Sequence, residues 1–274
     1  MDYKGYECLG IRVDRGVAVV TIDHPPINLF DLPLILEMDR VGRELEADPD
    51  VRVVAMESAD PEFFIAHADV NLILSLPDVA PPRPDEPSFF QQMVDRFRSM
   101  PKATIAKIEG ICRGGGSELV LSMDMRFAAL GQAVLGQPEV AVGIIPGGSG
   151  TQRLPRIMGR GRALEVVLGA QDFPADQAER YGYVNRALPA EELTPFIENL
   201  ARRIAAFPAE AIAGAKAALT AGELPLAQGL IEETHRFNQC AASPEARDRM
   251  QSFLAAGGQT REVEVGAPFT RPRA

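Results

Sequence analysis

Two carboxylates and a run of glycines stand close together in the middle of the chain, in GICRGGGSELVLSMDMRFAALGQAVLGQPE, residues 110–139. Glycine lets a backbone approach a ligand closely, and a helix that starts after it turns its first NH groups toward whatever lies there. Gly115 is therefore placed to donate a backbone hydrogen bond to a carbonyl oxygen. Glu118 follows three residues later, on the same side of the first helical turn. An NH donor beside a carboxylate suits proton transfer next to a polarised carbonyl such as a thioester. Alone the motif is weak, because three glycines before a helix are more often an ordinary turn.

Glu139 is the second acid. Pro138 fixes the backbone ahead of it, and Val140, Ala141 and Val142 flank it with apolar side chains. Desolvation there would raise its pKa and let it exchange a proton near neutral pH. The alternative is a carboxylate at a strand end, facing water. Other chemistries find less support: neither Gly115-Gly116-Ser117 nor Gly147-Gly148-Ser149 completes G-x-S-x-G, no Walker lysine follows a glycine loop, and no G-x-G-x-x-G is complete. His24, His67 and His235 lack metal-ligand spacing and read as surface or packing residues, so no metal is expected.

The elements that must hold these groups follow from periodicity. Residues 8–22 alternate apolar and polar positions around the turn Asp14-Arg15-Gly16, which predicts a hairpin with a buried second strand. His24-Pro25-Pro26-Ile27-Asn28 ends it. Asp31 as N-cap, Pro33 in the first turn, and Leu34, Met38, Val41 and Leu45 at helical spacing predict a helix over 31–45. Buried strands are expected at 51–56 and 103–108, a helix at 89–97 between them, strand candidates within 128–135, and a helix start at Ser149 or Thr151. Residues 76–88, LPDVAPPRPDEPS, read as a surface loop, equally a lid or a solvated insertion. After Gly159 helices dominate, at 162–168, 175–181, 193–206, 209–220, 226–240 and 245–255, and residues 257–274 read as an arm or loose tail. The class is α/β, with a core over 1–192 that carries the active site and a helical region over 193–274.

Composition sets the outer bounds. At 274 residues and 46% hydrophobic content the chain can bury a large core, and a net charge of -10 disfavours nucleic acid and anionic membrane as partners. Cys8, Cys112 and Cys240 are too scattered for a disulfide framework. The start, MDYKGYECLG, has no apolar signal region, and no apolar run approaches the ~18 residues of a membrane span. A soluble, cytoplasmic protein is expected.

Taken together, these segments resemble the crotonase superfamily, and enoyl-CoA hydratases in particular, over roughly residues 9–255. The motifs that carry the resemblance are PPIN at 25–28, FFIAHADV at 63–70, IEGICRGGGSEL at 108–119, LGQPE at 135–139 and IPGGSGTQRLPRIMG at 145–159. The resemblance implies a spiral of ββα turns followed by helices that build homotrimers, commonly paired into hexamers. It implies that the backbone NH groups of Ala68 and Gly115 form an oxyanion hole for an acyl thioester. It also implies that Ala66, Ala68, Asp69, Val70 and Asn71, with Gly115, bind acyl-CoA. Glu118 would hold and activate water and Glu139 would exchange the proton at the α-carbon, in reversible syn hydration of a trans-2-enoyl-CoA to a 3-hydroxyacyl-CoA. The CoA thioester is then the substrate, with no separate cofactor. Three departures stand out: His67 replaces a glycine common in the family, Pro26 and Asn71 stand where many hydratases carry lysines, and one extra residue separates the two glutamates, placed in the loop 129–133. Double-bond isomerisation and a non-catalytic CoA-binding subunit are the alternatives.

Overall fold

Strands β1 (Leu9–Asp14) and β2 (Val17–Ile22) form the hairpin that the alternation predicts, closed by Arg15 and Gly16 at positive φ. The computed structural model describes residues 1–79 and 81–265. Helix α1 (Leu32–Ala47) starts at Asp31, whose side chain accepts from the Leu34 NH, and it buries Leu34, Ile35, Met38, Val41 and Leu45. Then come β3 (Val53–Ser58), β4 (Phe63–Ile65), α2 (Val70–Leu74) and α3 (Phe89–Ser99). Helix α3 is fixed by a capping box in which Ser88 and Gln91 satisfy each other's backbone NH. The middle of the chain supplies β5 (Ala103–Ile108), β6 (Ile111–Arg113), α4 (Gly115–Ser122), β7 (Met125–Ala129), β8 (Val134–Gly136) and a single 3-10 turn, Glu139–Val142. After it run α5 (Gly150–Met158), α6 (Arg160–Gly169), β9 (Phe173–Pro174), α7 (Ala175–Tyr181) and β10 (Arg186–Leu188). Helices α8 (Ala190–Ala205), α9 (Ala209–Ala221), α10 (Leu226–Ala242), α11 (Pro244–Ala255) and α12 (Arg261–Val265) complete the described chain.

The strands divide between two sheets. One has the order β1-β2-β3-β5-β7-β10 and the other β4-β6-β8-β9, parallel except for β1 with β2 and β8 with β9. Each turn of the chain lays one strand in the first sheet and the next in the second: β3 then β4, β5 then β6, β7 then β8. The result is the spiral of strand-strand-helix turns that the resemblance implies. Its corners are tight. At Gly110, between β5 and β6, an added Cβ would lie 2.3 Å from the carbonyl oxygen of Glu62, so only glycine lets these neighbouring turns meet.

The core between sheets and helices holds Phe30, Phe64, Phe97, Met38, Met56 and Ile65, all fully buried. The outer face of the first sheet is covered by α8, whose Leu193, Ile197, Ala201 and Ala205 pack against Val17, Val53, Ile105 and Phe127. The segment 128–135 resolves into the end of β7 and the start of β8, in different sheets, joined by a turn with Gly131 at φ 75°. The expected tail over 257–274 contains α12, and its residues 266–274 lie outside the described ones. No single helix among the described residues is long and apolar enough to cross a membrane.

Candidate active site

Helix α4 is buried along its whole length and delivers Glu118 inward, only 3% exposed. Two backbone NH groups meet the carboxylate: Gly148 and Gly150 donate to Oε1 at 2.7 and 2.8 Å, from the start of α5 and the turn before it. That turn exists because a helix start leaves NH groups without intrahelical acceptors, and glycines let it approach. A Cβ on Gly148 would lie 2.4 Å from Glu118 Oε2 and 2.4 Å from Phe90 Cε1, so the aromatic ring and the carboxylate are close neighbours. Burial pushes the Glu118 carboxyl up to about 7, the Gly150 and Gly148 NH groups pull against it, and the nearby charge of Glu139 adds to the rise.

Glu139 opens the 3-10 turn and is partly buried. Desolvation raises its pKa, opposed by its own backbone NH and by His67. It is therefore not the water-facing strand-end carboxylate of the alternative reading. A buried chain of hydrogen bonds reaches it from behind. Gln137 is 0% exposed, and the amide orientation that satisfies both of its ends has Oε1 accepting from Ser117 Oγ and Nε2 donating to both Glu139 oxygens, each at 3.1 Å. Ser117 Oγ lies 2.6 Å from the hydroxyl of buried Tyr183. With the Ser117 proton given to Gln137, Tyr183 must donate to Ser117, so every bond in the chain points toward Glu139 and favours its ionised form.

Ala68 and Gly115 come together from different turns of the spiral. Phe30 brackets Ala68 as in a parallel bridge: its NH donates to the His67 carbonyl at 2.9 Å and its carbonyl accepts from the Asp69 NH at 3.1 Å. A trans peptide then points the Ala68 NH away from Phe30. On the other side, Gly114 (φ 50°) donates to the Gly136 carbonyl at 3.0 Å and accepts from the Glu118 NH at 2.9 Å, which leaves the Gly115 NH at the open end of α4. Neither the Ala68 nor the Gly115 NH has an acceptor among the described residues. A Cβ on Gly115 would be 3.5 Å from that of Ala68 and 3.3 Å from Phe90 Cζ, so the two donors and the ring border one space.

The rest of the loop is set by Asp69, which caps α2 and accepts from the Asn71 NH at 2.9 Å and its side-chain Nδ2 at 3.2 Å. Ala66 is buried and Val70 is half exposed. Gln137, Ser117, Tyr183, Phe30 and Phe90 escaped the sequence reading of the site. Gln137 and Ser117 sit inside the quoted motifs, whereas Tyr183 is 66 residues from the serine it bonds, a pairing no local pattern reveals. The histidines divide: His24 bonds Asp31 at 2.8 Å, while His67 Nδ1 lies 2.8 Å from the Ala68 carbonyl.

The family profile described as enoyl-CoA hydratase/isomerase matches residues 12–259. The short-chain-enoyl-CoA hydratase of Clostridium acetobutylicum is 32% identical over 89% of this chain and 93% of its own. The crotonyl-CoA hydratase of Syntrophomonas wolfei is 32% identical over 91% of this chain and 95% of its own. A solved structure from Streptomyces avermitilis is 41% identical, covers 95% of both chains and superposes with a TM-score of 0.74.

Proposed function

The chain belongs to the enoyl-CoA hydratase/isomerase family, and from that premise we propose that Glu118 and Glu139 carry its hydratase reaction as one acid/base pair. The enzyme is an enoyl-CoA hydratase, adding water reversibly to a trans-2-enoyl-CoA. On our reading the thioester oxygen accepts from the Ala68 and Gly115 NH groups. Water bound at Glu118 gives it a proton as its oxygen bonds to the β-carbon. The π electrons move onto the thioester oxygen, and the enolate takes a proton from Glu139 at the α-carbon.

The observation that carries this reading is a pair of desolvated carboxylates, Glu118 and Glu139, whose proton affinity burial raises. The charge of Glu139 adds to the rise at Glu118, and the reaction asks that one member of the pair be ionised while the other is an acid. Hydration uses Glu118 ionised and Glu139 protonated, and dehydration the reverse. Two NH donors stabilise the developing oxyanion, each worth ~3 kcal/mol where such donors have been removed in other enzymes. This chemistry asks for no cofactor. The loop Ala66–Asn71 would lie along the CoA.

Following crotonyl-CoA by loss of its enoyl absorbance tests the assignment. Glu118→Gln and Glu139→Gln are each expected to lower kcat by about 10²–10⁴-fold. Wild-type rates in both variants would remove the pair from the mechanism. We also propose that the apolar side chains exposed on the C-terminal helices, among them Leu219, Leu226, Ile231 and Phe237, are covered by further copies of the chain in a homotrimer or hexamer. Sedimentation as a monomer at micromolar concentration would refute that.

A further inference from the structure

Ser149 holds a backbone conformation that residues with a side chain rarely adopt. At φ 119° and ψ -4° it lies well beyond the left-handed region near about +57°. Only glycine takes such a φ freely, and glycines stand on both sides of it, Gly148 and Gly150. Strain of this kind persists where surrounding contacts over-determine it. Three helices supply those contacts. Arg153 on α5 donates from Nε to Ser149 Oγ at 2.9 Å, and its Nη2 reaches Asp95 on α3 at 2.7 Å. Ser122, one turn after Glu118 on α4, lies 3.4 Å from the same hydroxyl. The Ser122 hydrogen goes to the Glu118 carbonyl at 2.8 Å, so Ser149 is the donor toward Ser122. The Arg153 side chain is only 12% exposed, which shelters the clamp from water. Gln91 of α3 adds a bond to the same turn, from Nε2 to the Gly147 carbonyl at 2.8 Å.

A left-handed residue within a turn can point successive NH groups to one side, forming a concavity for an anion. Gly148 and Gly150 converge in this way on Glu118 Oε1, and among the described residues no group donates to Oε2, the oxygen that would hold water. Turning Ser149 to negative φ would rotate the two NH groups apart. We propose that Ser149 is a positioning residue of this site: its hydroxyl, clamped by Arg153 and Asp95, holds the turn in the strained form that aims two NH groups at one oxygen of Glu118. The inference rests on the hydratase reading above. Hydration needs Glu118 ionised, and the clamped turn favours that form, since burial raises the carboxyl while the NH groups of Gly150, Gly148 and Ser149 oppose the rise. Of the charged groups on the surrounding elements, Glu139 adds to the rise, whereas Arg153 pairs with Asp95, Arg98 with Glu223 and Arg113 with Asp172.

The experiment compares kcat, KM and the pH profile of kcat/KM for crotonyl-CoA hydration in wild type, Ser149→Ala, Ser149→Gly and Arg153→Met. Ser149→Ala keeps the strain and loses the clamp, so the turn relaxes. Its kcat is expected to fall about 10²-fold, the loss for a misplacement of ~1 Å. KM changes little, because the Ala68 and Gly115 donors lie outside the turn. The acid limb, set by ionisation of Glu118, moves up as the NH groups withdraw. Ser149→Gly takes φ 119° without strain and is expected to recover about ten-fold or more of the rate lost in Ser149→Ala. Arg153→Met leaves the serine unclamped and follows Ser149→Ala in rate and acid limb, which keeps the test available if Ser149→Ala does not fold. Wild-type kcat and acid limb in Ser149→Ala or Arg153→Met would overturn the proposal. So would a Ser149→Gly as slow as Ser149→Ala, since the hydroxyl and not the backbone would then be the working part. Failure of the hydratase reading looks different, as wild type itself would turn over no enoyl-CoA. In that case 13C titration of the Glu118 carboxylate in the free protein still reads the clamp, and an unchanged titration in Ser149→Ala overturns it.

Discussion

At the scale of single residues, Glu118 is governed by the glycines that face it. Gly148 is a donor to its carboxylate, and the direction in which a side chain would grow from Gly148 is filled by Glu118 Oε2 and Phe90. Gly148→Ala should therefore displace the carboxylate by a fraction of an ångström to an ångström without unfolding the chain. A misplacement of that size costs on the order of 10²-fold in rate. The expected outcome is a large fall in kcat with an unchanged circular dichroism spectrum; near wild-type kcat would mean that Glu118 tolerates movement. Glu118, Glu139 and Gly115 stood out in the sequence as an acid or a glycine beside a helix start, a weak signal alone, and the roles proposed for them came from the family resemblance. Gln137, Tyr183 and Phe90 were not, because each acts only through a contact that the fold makes.

At the scale of elements, the long strands and amphipathic helices declared themselves by period, and α1 even by its cap. Strands β6, β9 and β10 did not, since two or three residues carry no measurable alternation. What fixes β6 is the corner before it, where Ile111 donates to the Glu62 carbonyl at 2.8 Å and Gly110 lies against the same residue. Backbone faces backbone there, with no flexible side chain to give way. Gly110→Ala is expected to destabilise the fold by at least about 3 kcal/mol, the upper range for overpacking. Urea denaturation measures this, and a loss below ~1 kcal/mol would mean that the corner can open at little cost.

Across the whole molecule, the buried acid is a stability liability with a defined pH window. The Glu118 carboxyl is raised from 4.5 to about 7 in the folded state. Below pH ~4.5 it is protonated whether folded or unfolded and contributes nothing adverse. As pH rises toward 7 the unfolded chain releases the proton while the folded chain retains it, so stability falls and reaches its low plateau once the folded group also ionises. The loss amounts to about 3 kcal/mol at most. Glu118→Gln keeps an oxygen for Gly148 and Gly150 but cannot ionise. Its stability advantage over wild type should grow from about pH 5 to about pH 8, measured by denaturant unfolding; a pH-independent difference would contradict the raised pKa.

The two halves of the proposed oxyanion site are fastened largely by backbone, Ala68 by Phe30 and Gly115 by the Gly114–Gly136 bond, with His67 Nδ1 on the Ala68 carbonyl. Neither the Glu118 nor the Glu139 carboxylate is hydrogen-bonded to Ala68 or Gly115 among the described residues. Thioester recognition and proton handling are thus separable modules, and the second can be rewritten by substitutions on α4 and the 3-10 turn while the first stays intact. A scaffold built this way is open to divergence. New reactions of a polarised acyl thioester are reachable by exchanging acids, without having to invent the enolate site again.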